Sequence, residues 1–125
     1  MRRGFPDDVV MSVQKSGWMD EELMLEWIDR VWNPWLQQRP CSFSYLLMDC
    51  LKVHMLSSVV DRLVDCGTRS EFIVAGCTSS LQVLDVGINR PFKVYMNEAY
   101  NNFMIDNGGK LTRAVVANWI SKAWT

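Results

Sequence analysis

The run Phe43-Ser44-Tyr45-Leu46-Leu47-Met48 constrains the fold more than any other stretch. It is the most apolar strand candidate in the chain, and it lies between two stretches with helical spacing. An apolar strand placed between helices belongs to a sheet covered on both faces, so the chain reads as α/β. The run ends on a charge, Asp49, delivered at the strand's C-terminal end.

The rest of the chain supports that reading. Val9 to Gln14 is short, β-branched and roughly alternating, and predicts a strand, broken by Lys15-Ser16-Gly17. From Trp18 to Trp32, the residues Leu23, Met24, Trp27, Ile28, Val31 and Trp32 give one apolar helical face. Asp20, Glu21 and Glu22 crowd its first turn, where free N–H groups and the helix dipole favour anions. Helix-start chemistry explains that trio better than a metal site does. Asn33-Pro34 is expected to stop the helix, and Trp35 to Ser42 to form a loop with Arg39-Pro40 at its turn. His54 to Asp65 predicts a second helix with Leu56, Val59, Val60, Leu63 and Val64 inward and Gly67 after its end. Glu71 to Gly76 predicts a third strand. A long helix carries Asp85 near its start and runs through Phe92, Tyr95, Met96, Tyr100 and Phe103, with Pro91 requiring a kink or a late start. After the break Asn107-Gly108-Gly109, Thr112 to Trp124 predicts a last amphipathic helix with Thr112 as N-cap. The order is β, α, β, α, β, α, α, with no internal repeat.

Composition bounds the class. With 125 residues, residues 1–125 are one domain or a piece of one, and 49% hydrophobic content suffices for a packed core. The net charge of −1 does not suggest a free-standing nucleic-acid binder, but its distribution is uneven. Residues 1–85 hold 8 Lys/Arg against 12 Asp/Glu, a balance of −4, and residues 86–125 hold 5 against 2, a balance of +3. Cys41, Cys50, Cys66 and Cys77 show no CxxC spacing and only one histidine is present, which argues against a zinc site. The four cysteines read as reduced, mostly buried thiols. The N-terminus lacks the apolar core of a secretory signal, and no apolar run is long enough to span a bilayer, so no membrane partner is expected.

Asp49 and Asp85 are separated by a strand–helix–strand unit and suit a divalent cation. Magnesium takes hard oxygen ligands and commonly uses one or two carboxylates with phosphates and water. Two such ions roughly 3.5–4 Å apart activate a water and stabilise the leaving oxygen in phosphodiester cleavage. Bridging two ions usually calls for a third carboxylate. By spacing alone, two aspartates at element ends are more often caps and turn formers than metal ligands. His54, five residues past Asp49, could steady a phosphate or a water, or serve as a hydrogen-bonding or packing residue. Lys52, Arg90 and Lys93 lie near the aspartates in sequence and could touch phosphates, although solvated cations are the default. Cys50 has no evident activator as a nucleophile.

The surrounding words are more specific. Leu47-Met48-Asp49-Cys50, with His54 following, resembles the second-aspartate motif of the pogo/Tigger-like transposases, whose DDE superfamily endonuclease domain is shared with jerky and centromere protein B relatives. The stretch from Gly76-Cys77-Thr78-Ser79-Ser80 through Leu81-Gln82-Val83-Leu84-Asp85 to Arg90-Pro91-Phe92-Lys93 resembles the third-aspartate motif. Gly17-Trp18-Met19-Asp20-Glu21 and Trp119-Ile120-Ser121-Lys122-Ala123-Trp124 also resemble that family, especially its vertebrate pogo members with a KRAB domain. The likeness runs from about Val9 to Trp124.

The resemblance implies a partial RNase H-like (integrase-type) domain, with a mixed sheet lacking its first two strands and helices packed on it. It implies metal-dependent DNA cleavage and joining, with Mg2+ or Mn2+ as cofactor, DNA as partner and the nucleus as location. Asp49 and Asp85 would be the second and third metal-binding, catalytic carboxylates. Lys52, His54, Gln82, Arg90 and Lys93 would contact nucleic acid, and Thr78, Ser79 and Gln82 belong to the motif's loop. The family's first aspartate lies on a strand upstream of the match, and Asp7 and Asp8 do not fit its motif. Val83 stands where the family usually has proline, and Cys50 and Val53 replace residues typically small or polar. The family's N-terminal helix-turn-helix region has no counterpart here.

With those strands missing, Val9 to Gln14 would lack a neighbour and Tyr45 to Asp49 would carry an open apolar edge. The expectation is marginal stability, self-association through that edge or a rearranged sheet. Three functions stay open: a transposase-derived, nucleic-acid-binding piece inactive alone; a host-retained protein- or DNA-interaction module; and a metal-dependent nuclease completed by an upstream segment.

Overall fold

Asp20 sets where the first helix begins. Its carboxylate accepts from the Leu23 N–H at 2.9 Å and from the Gln14 side-chain amide at 2.9 Å, supplying one partner to the free donors of the first turn. Those two bonds, the backbone one first, hold the Asp20 carboxyl below the ordinary aspartate range. The computed structural model describes residues 4–77, 84–107 and 109–124, the side chains of Asp85, Val86 and Asn107 aside. The chain forms two compact units: a sheet unit, Met11–Gln82, and a helical unit, Met1–Val10 with Val83–Thr125.

In the sheet unit α1 spans Glu21–Trp27 and runs into a π turn over Ile28–Trp32, followed by α2, Asn33–Gln37. The expected stop at Asn33-Pro34 does not occur. A proline in an α-helix collides with the carbonyl four residues back and removes a hydrogen bond. Here the wider turn comes first, with the Asn33 N–H donating to the Ile28 carbonyl five residues back, and Pro34 falls in the opening turn of α2. The same turn explains an aromatic stack. Residues five apart on an α-helix are about 140° apart around the axis. The π turn nevertheless stacks Trp27 on Trp32 at 5.8 Å, and Trp32 stacks on Trp35 at 5.2 Å. The Arg39 guanidinium covers Trp35 at 3.8 Å.

Strand β1, Ser44–Met48, follows the expectation closely and pairs in parallel with β2, Thr68–Phe72. The register sets Ser44 against Thr68 and Met48 against Phe72. Between the strands lie a 3-10 turn, Lys52–Met55, and α3, Ser57–Asp65. The second helix therefore starts later than His54. Gly67 ends it at φ +73, and a Cβ there would lie 2.9 Å from the Ser42 carbonyl oxygen. Strand β2 starts three residues before the expected Glu71 and ends at Phe72, because Gly67 fixes its entry and the Ile73 N–H closes on the Met48 carbonyl at 2.8 Å.

The core lies between α1, the π turn, α3 and the inner face of the sheet. Met24, Ile28, Met48, Val53, Val59 and Leu63 are its buried members. Thr68 is buried among them, accepting from the Trp32 indole N–H at 2.9 Å and sharing a 2.8 Å hydrogen bond with the Ser44 hydroxyl. On the other face of β1, Tyr45 and Leu47 are 61% and 54% exposed. Among the described residues the sheet has two strands, both parallel, and not the mixed arrangement expected. Residues 9–14 pair with no strand. Met11 and Ser12 instead bond to the π turn and to α1, through Arg30 Nη1 to the Met11 carbonyl at 3.5 Å and the Ser12 hydroxyl to Glu26 at 2.5 Å.

The helical unit starts with a second π turn, Leu84–Ile88, which leads into α4, Asn89–Asn107, with Pro91 in its first turn. After the expected break comes α5, Arg113–Trp124, where the Thr112 hydroxyl accepts from the Val115 N–H at 3.4 Å. The two helices run antiparallel. Phe103 meets Trp119 edge-on at 5.8 Å, and Phe92 meets Trp124 at 5.7 Å. Ala117 is buried. The N-terminal segment lies along α5, with the Asn118 amide donating to the Gly4 carbonyl and the Ser121 hydroxyl to Asp8.

The cysteines depart from expectation in one respect. All four are free thiols, but Cys41 and Cys50 are exposed, and Cys66 and Cys77 are half-buried. Burial pushes the Cys66 thiol up, which keeps it protonated and unreactive at neutral pH.

Candidate functional site

The end of β1 is built to hold Asp49 in place. Met48 is anchored by its carbonyl to the Ile73 N–H, and the Cys50 thiol donates to the Ile73 carbonyl at 2.9 Å. Asp49 is thus pinned on both sides by one residue beyond β2. The chain then folds into the 3-10 turn, where the His54 N–H donates to the Leu51 carbonyl at 2.9 Å and returns the imidazole to the aspartate. His54 Nδ1 lies 2.9 Å from Asp49 Oδ1 and 3.3 Å from the Asp49 backbone carbonyl. Only the carbonyl contact has hydrogen-bond geometry. Oδ1 is buried with no aligned donor among the described residues, a costly state for a carboxylate oxygen.

Nothing in the sequence pairs these two residues. Five positions apart, they look unrelated on a helix or a strand; a strand end followed by a 3-10 turn brings them into contact. The Cys50 thiol serves as a strap between the strand ends.

The remaining candidates divide between the units. Lys52 is exposed and makes no ion pair with Asp49; it lines an open groove of about 300 Å³ with Asp20, Glu21, Leu51 and Leu56. Asp85 lies in the π turn Leu84–Ile88, a backbone form often found at functional positions. Its side chain, and Thr78, Ser79 and Gln82 of the same motif, lie outside the described residues. Arg90 and Lys93 are exposed on the first turns of α4, three residues apart and hence on one side of the helix. The acidic trio is helix-start chemistry. Asp20 caps, and Glu21 accepts from the Ser58 hydroxyl at 2.6 Å.

These positions meet a sequence comparison that decides the family. A family model described as DDE superfamily endonuclease matches residues 5–125. The chain belongs to that family. Among curated proteins, this DDE endonuclease chain is 28% identical over 129 residues to the mouse "Pogo transposable element with KRAB domain" and 27% identical to the human protein of that name. Both matches cover 96% of the chain and 21% of the relative. It is 33% identical over 97 residues to the human "Pogo transposable element with ZNF domain", covering 76% of the chain and 7% of that protein. The chain thus spans about a fifth of the length of the first relatives and less of the last. No solved structure matches it. The matches support a pogo-like transposase domain over most of the chain.

DDE superfamily endonucleases are generally metal-dependent, and the family name implies a DNA substrate. Asp49, whose side chain is half-buried beside His54, is a hard oxygen donor of the kind a divalent cation takes. Among the described residues no group of three or more His, Cys, Asp or Glu side chains could hold an ion. The described residues therefore do not make a metal centre by themselves.

Proposed function

We propose that this DDE-family domain is a nucleic-acid-binding part of a transposon-derived endonuclease, acting in the nucleus and without strand-cleaving activity of its own. We read residues 1–125 as one partial RNase H-like domain, in which the parallel β1–α3–β2 unit is a portion of a larger sheet. Asp49 and Asp85 serve as the second and third metal-binding carboxylates, for Mg2+ or Mn2+. His54 holds the Asp49 carboxylate in orientation. Arg90 and Lys93, with Gln82, face the DNA backbone, and Lys52 adds a more distant phosphate contact.

The observation that carries the reading is Asp49 itself. It follows the strand end inside the stretch that the family model matches, strapped through Ile73, with His54 Nδ1 at 2.9 Å from a buried oxygen that has no aligned donor among the described residues. Inactivity rests on arithmetic. Two motif carboxylates fall short of the three that bridging two ions usually requires, so a carboxylate from elsewhere is needed for chemistry. The open outer side of β1, with Tyr45 and Leu47 exposed, supports association of copies through that strand.

The test has two arms. In a manganese-supplemented plasmid-nicking assay, the chain is expected to leave supercoiled DNA intact. Nicking that Asp49→Asn and Asp85→Asn each abolish would establish an active nuclease and overturn the inactive reading. In a salt titration of duplex binding, neutralising Arg90 and Lys93 together is expected to weaken affinity and lower the salt slope by roughly one per lost phosphate contact. An unchanged slope removes those residues from the interface.

A further inference from the structure

Helix α4 packs one side on α5 and turns another to solvent. Phe92 and Phe103 mark the packed side, where they meet Trp124 and Trp119. At about 100° per residue, Arg90, Lys93, Asn97 and Asn101 share an arc of about 80° directed away from those rings, and all four are exposed. Tyr100 and Met104, 45% and 43% exposed, stand beside them. The helix's acidic residues, Glu98 and Asp106, fall outside the arc. The asparagines are its unusual members. Asparagine is a poor helix former, because its amide competes for nearby backbone groups, and on an exposed face alanine would serve the helix better. Asn97 and Asn101 lie in mid-helix, away from the ends where such side chains cap, and neither bonds to another described residue. The helix thus holds two amides against its own propensity, in line with two cations.

Resting on the DNA-binding reading above, we propose that this side of α4 lies in the major groove of duplex DNA and reads adenine. The Asn97 and Asn101 amides each donate to adenine N7 and accept from its N6 amino group, while Arg90 and Lys93 hold the adjoining phosphates. Base readout is what the backbone contacts of that reading lack. The chemistry selects this groove: an asparagine amide matches adenine bidentately there, and the minor groove offers no such edge. The dimensions agree. The major groove, about 12 Å wide, admits one α-helix, and the 19 residues of α4 extend for about 28 Å. Asn97 and Asn101 are about 6 Å apart along the axis, roughly two base steps of 3.4 Å, so each meets a base pair of its own. Tyr100 and Met104 supply apolar surface of the kind that meets thymine methyl groups, the partners of those adenines.

The experiment incubates the full chain with a pool of duplexes randomised at their centre and sequences the bound fraction. Wild type is expected to enrich adenine at two positions about two steps apart. Asn97→Ala is expected to erase the preference at one position and Asn101→Ala at the other, each a loss on the order of 5- to 150-fold for one bidentate pair. Both variants carry a better helix former, so their circular dichroism is expected to match wild type, which separates lost readout from lost folding. Replacing adenine by 7-deazaadenine in the enriched duplex removes N7 and keeps Watson–Crick pairing. That duplex is expected to bind wild type more weakly, and each alanine variant is expected to be blind to the change at its own position. A pool bound without base preference overturns the readout and leaves DNA binding standing; no binding of the pool overturns both. A preference that survives both alanine variants, or that ignores 7-deazaadenine, places readout elsewhere and also overturns the proposal.

Discussion

Eight of the nine buried apolar side chains among the described residues lie in the sheet unit; Ala117 is the helical unit's one. The sheet unit draws Ile28, Val59 and Leu63, all without measurable exposure, from separate elements into one core. The helical unit instead joins two antiparallel helices through ring pairs at their edges, and keeps Trp124, Ile105 and Tyr100 in water. Apolar burial drawn from several elements makes the first unit a scaffold, and it is the scaffold that fixes Asp49. The second is held by ring contacts between two helices and by the bonds of Gly4 and Asp8 to α5, and its residues 86–125 hold 5 Lys/Arg against 2 Asp/Glu.

Substitutions that probe the two cores separately should break this contrast if it is wrong. Leu63→Ala is expected to destabilise the sheet unit by about 2–5 kcal/mol, since the side chain is fully enclosed. Thr68→Val is expected to cost about 1–3 kcal/mol, because the Trp32 indole and the Ser44 hydroxyl each lose their partner. Ala117→Gly in α5 is expected to cost about 1–2 kcal/mol from backbone entropy and a lost methyl. Native-state hydrogen exchange reads each unit on its own. Protection lost equally in both units after Leu63→Ala would show one cooperative body in place of two.

A second comparison concerns the outer face of β1. Tyr45→Lys is expected to abolish concentration dependence in sedimentation, with the circular dichroism spectrum unchanged. A wild-type chain that sediments as a monomer at every concentration would refute association through this strand.

The smallest effect is the most local. The Asp20 carboxyl is depressed in the folded chain, so it stabilises the fold above its unfolded value of about 3.9 and loses that contribution as pH falls through the lower folded value. Asp20→Asn should therefore melt below wild type at pH 6, and the two curves should converge near pH 2. A gap that persists at pH 2 would mean that Asp20 acts through something other than its charge.

The elements that rest on local chemistry were legible in the sequence. The strand before Asp49, the Thr112 cap, the Gly67 stop and the break near Asn107 all follow from side-chain pattern or from backbone freedom. What the sequence concealed was set by tertiary pairing. Strand β2 begins in the polar Thr68-Arg69-Ser70, because its register is dictated by β1 and not by its own hydrophobicity. Residues 9–14 have strand-like side chains, but Met11 and Ser12 bond to the π turn and to α1. Among the candidate residues, Asp49, Arg90 and Lys93 were readable as charged residues at element ends. The buried state of Asp49 Oδ1 and its contact with His54 depend on a turn that no periodicity announces.

The first π turn bears on how this chain is aligned with its relatives. It adds one residue to a helix within a single turn, and it precedes Pro34. A relative one residue shorter there would close the wide turn to an α turn, and the faces after it would keep their phase, with Leu36 still turned to the interior. A single-position gap at Ile28–Trp32 is therefore a change of turn width and not of phase: it takes away the five-residue step that stacks Trp27 on Trp32 and leaves the buried side of α2 in place.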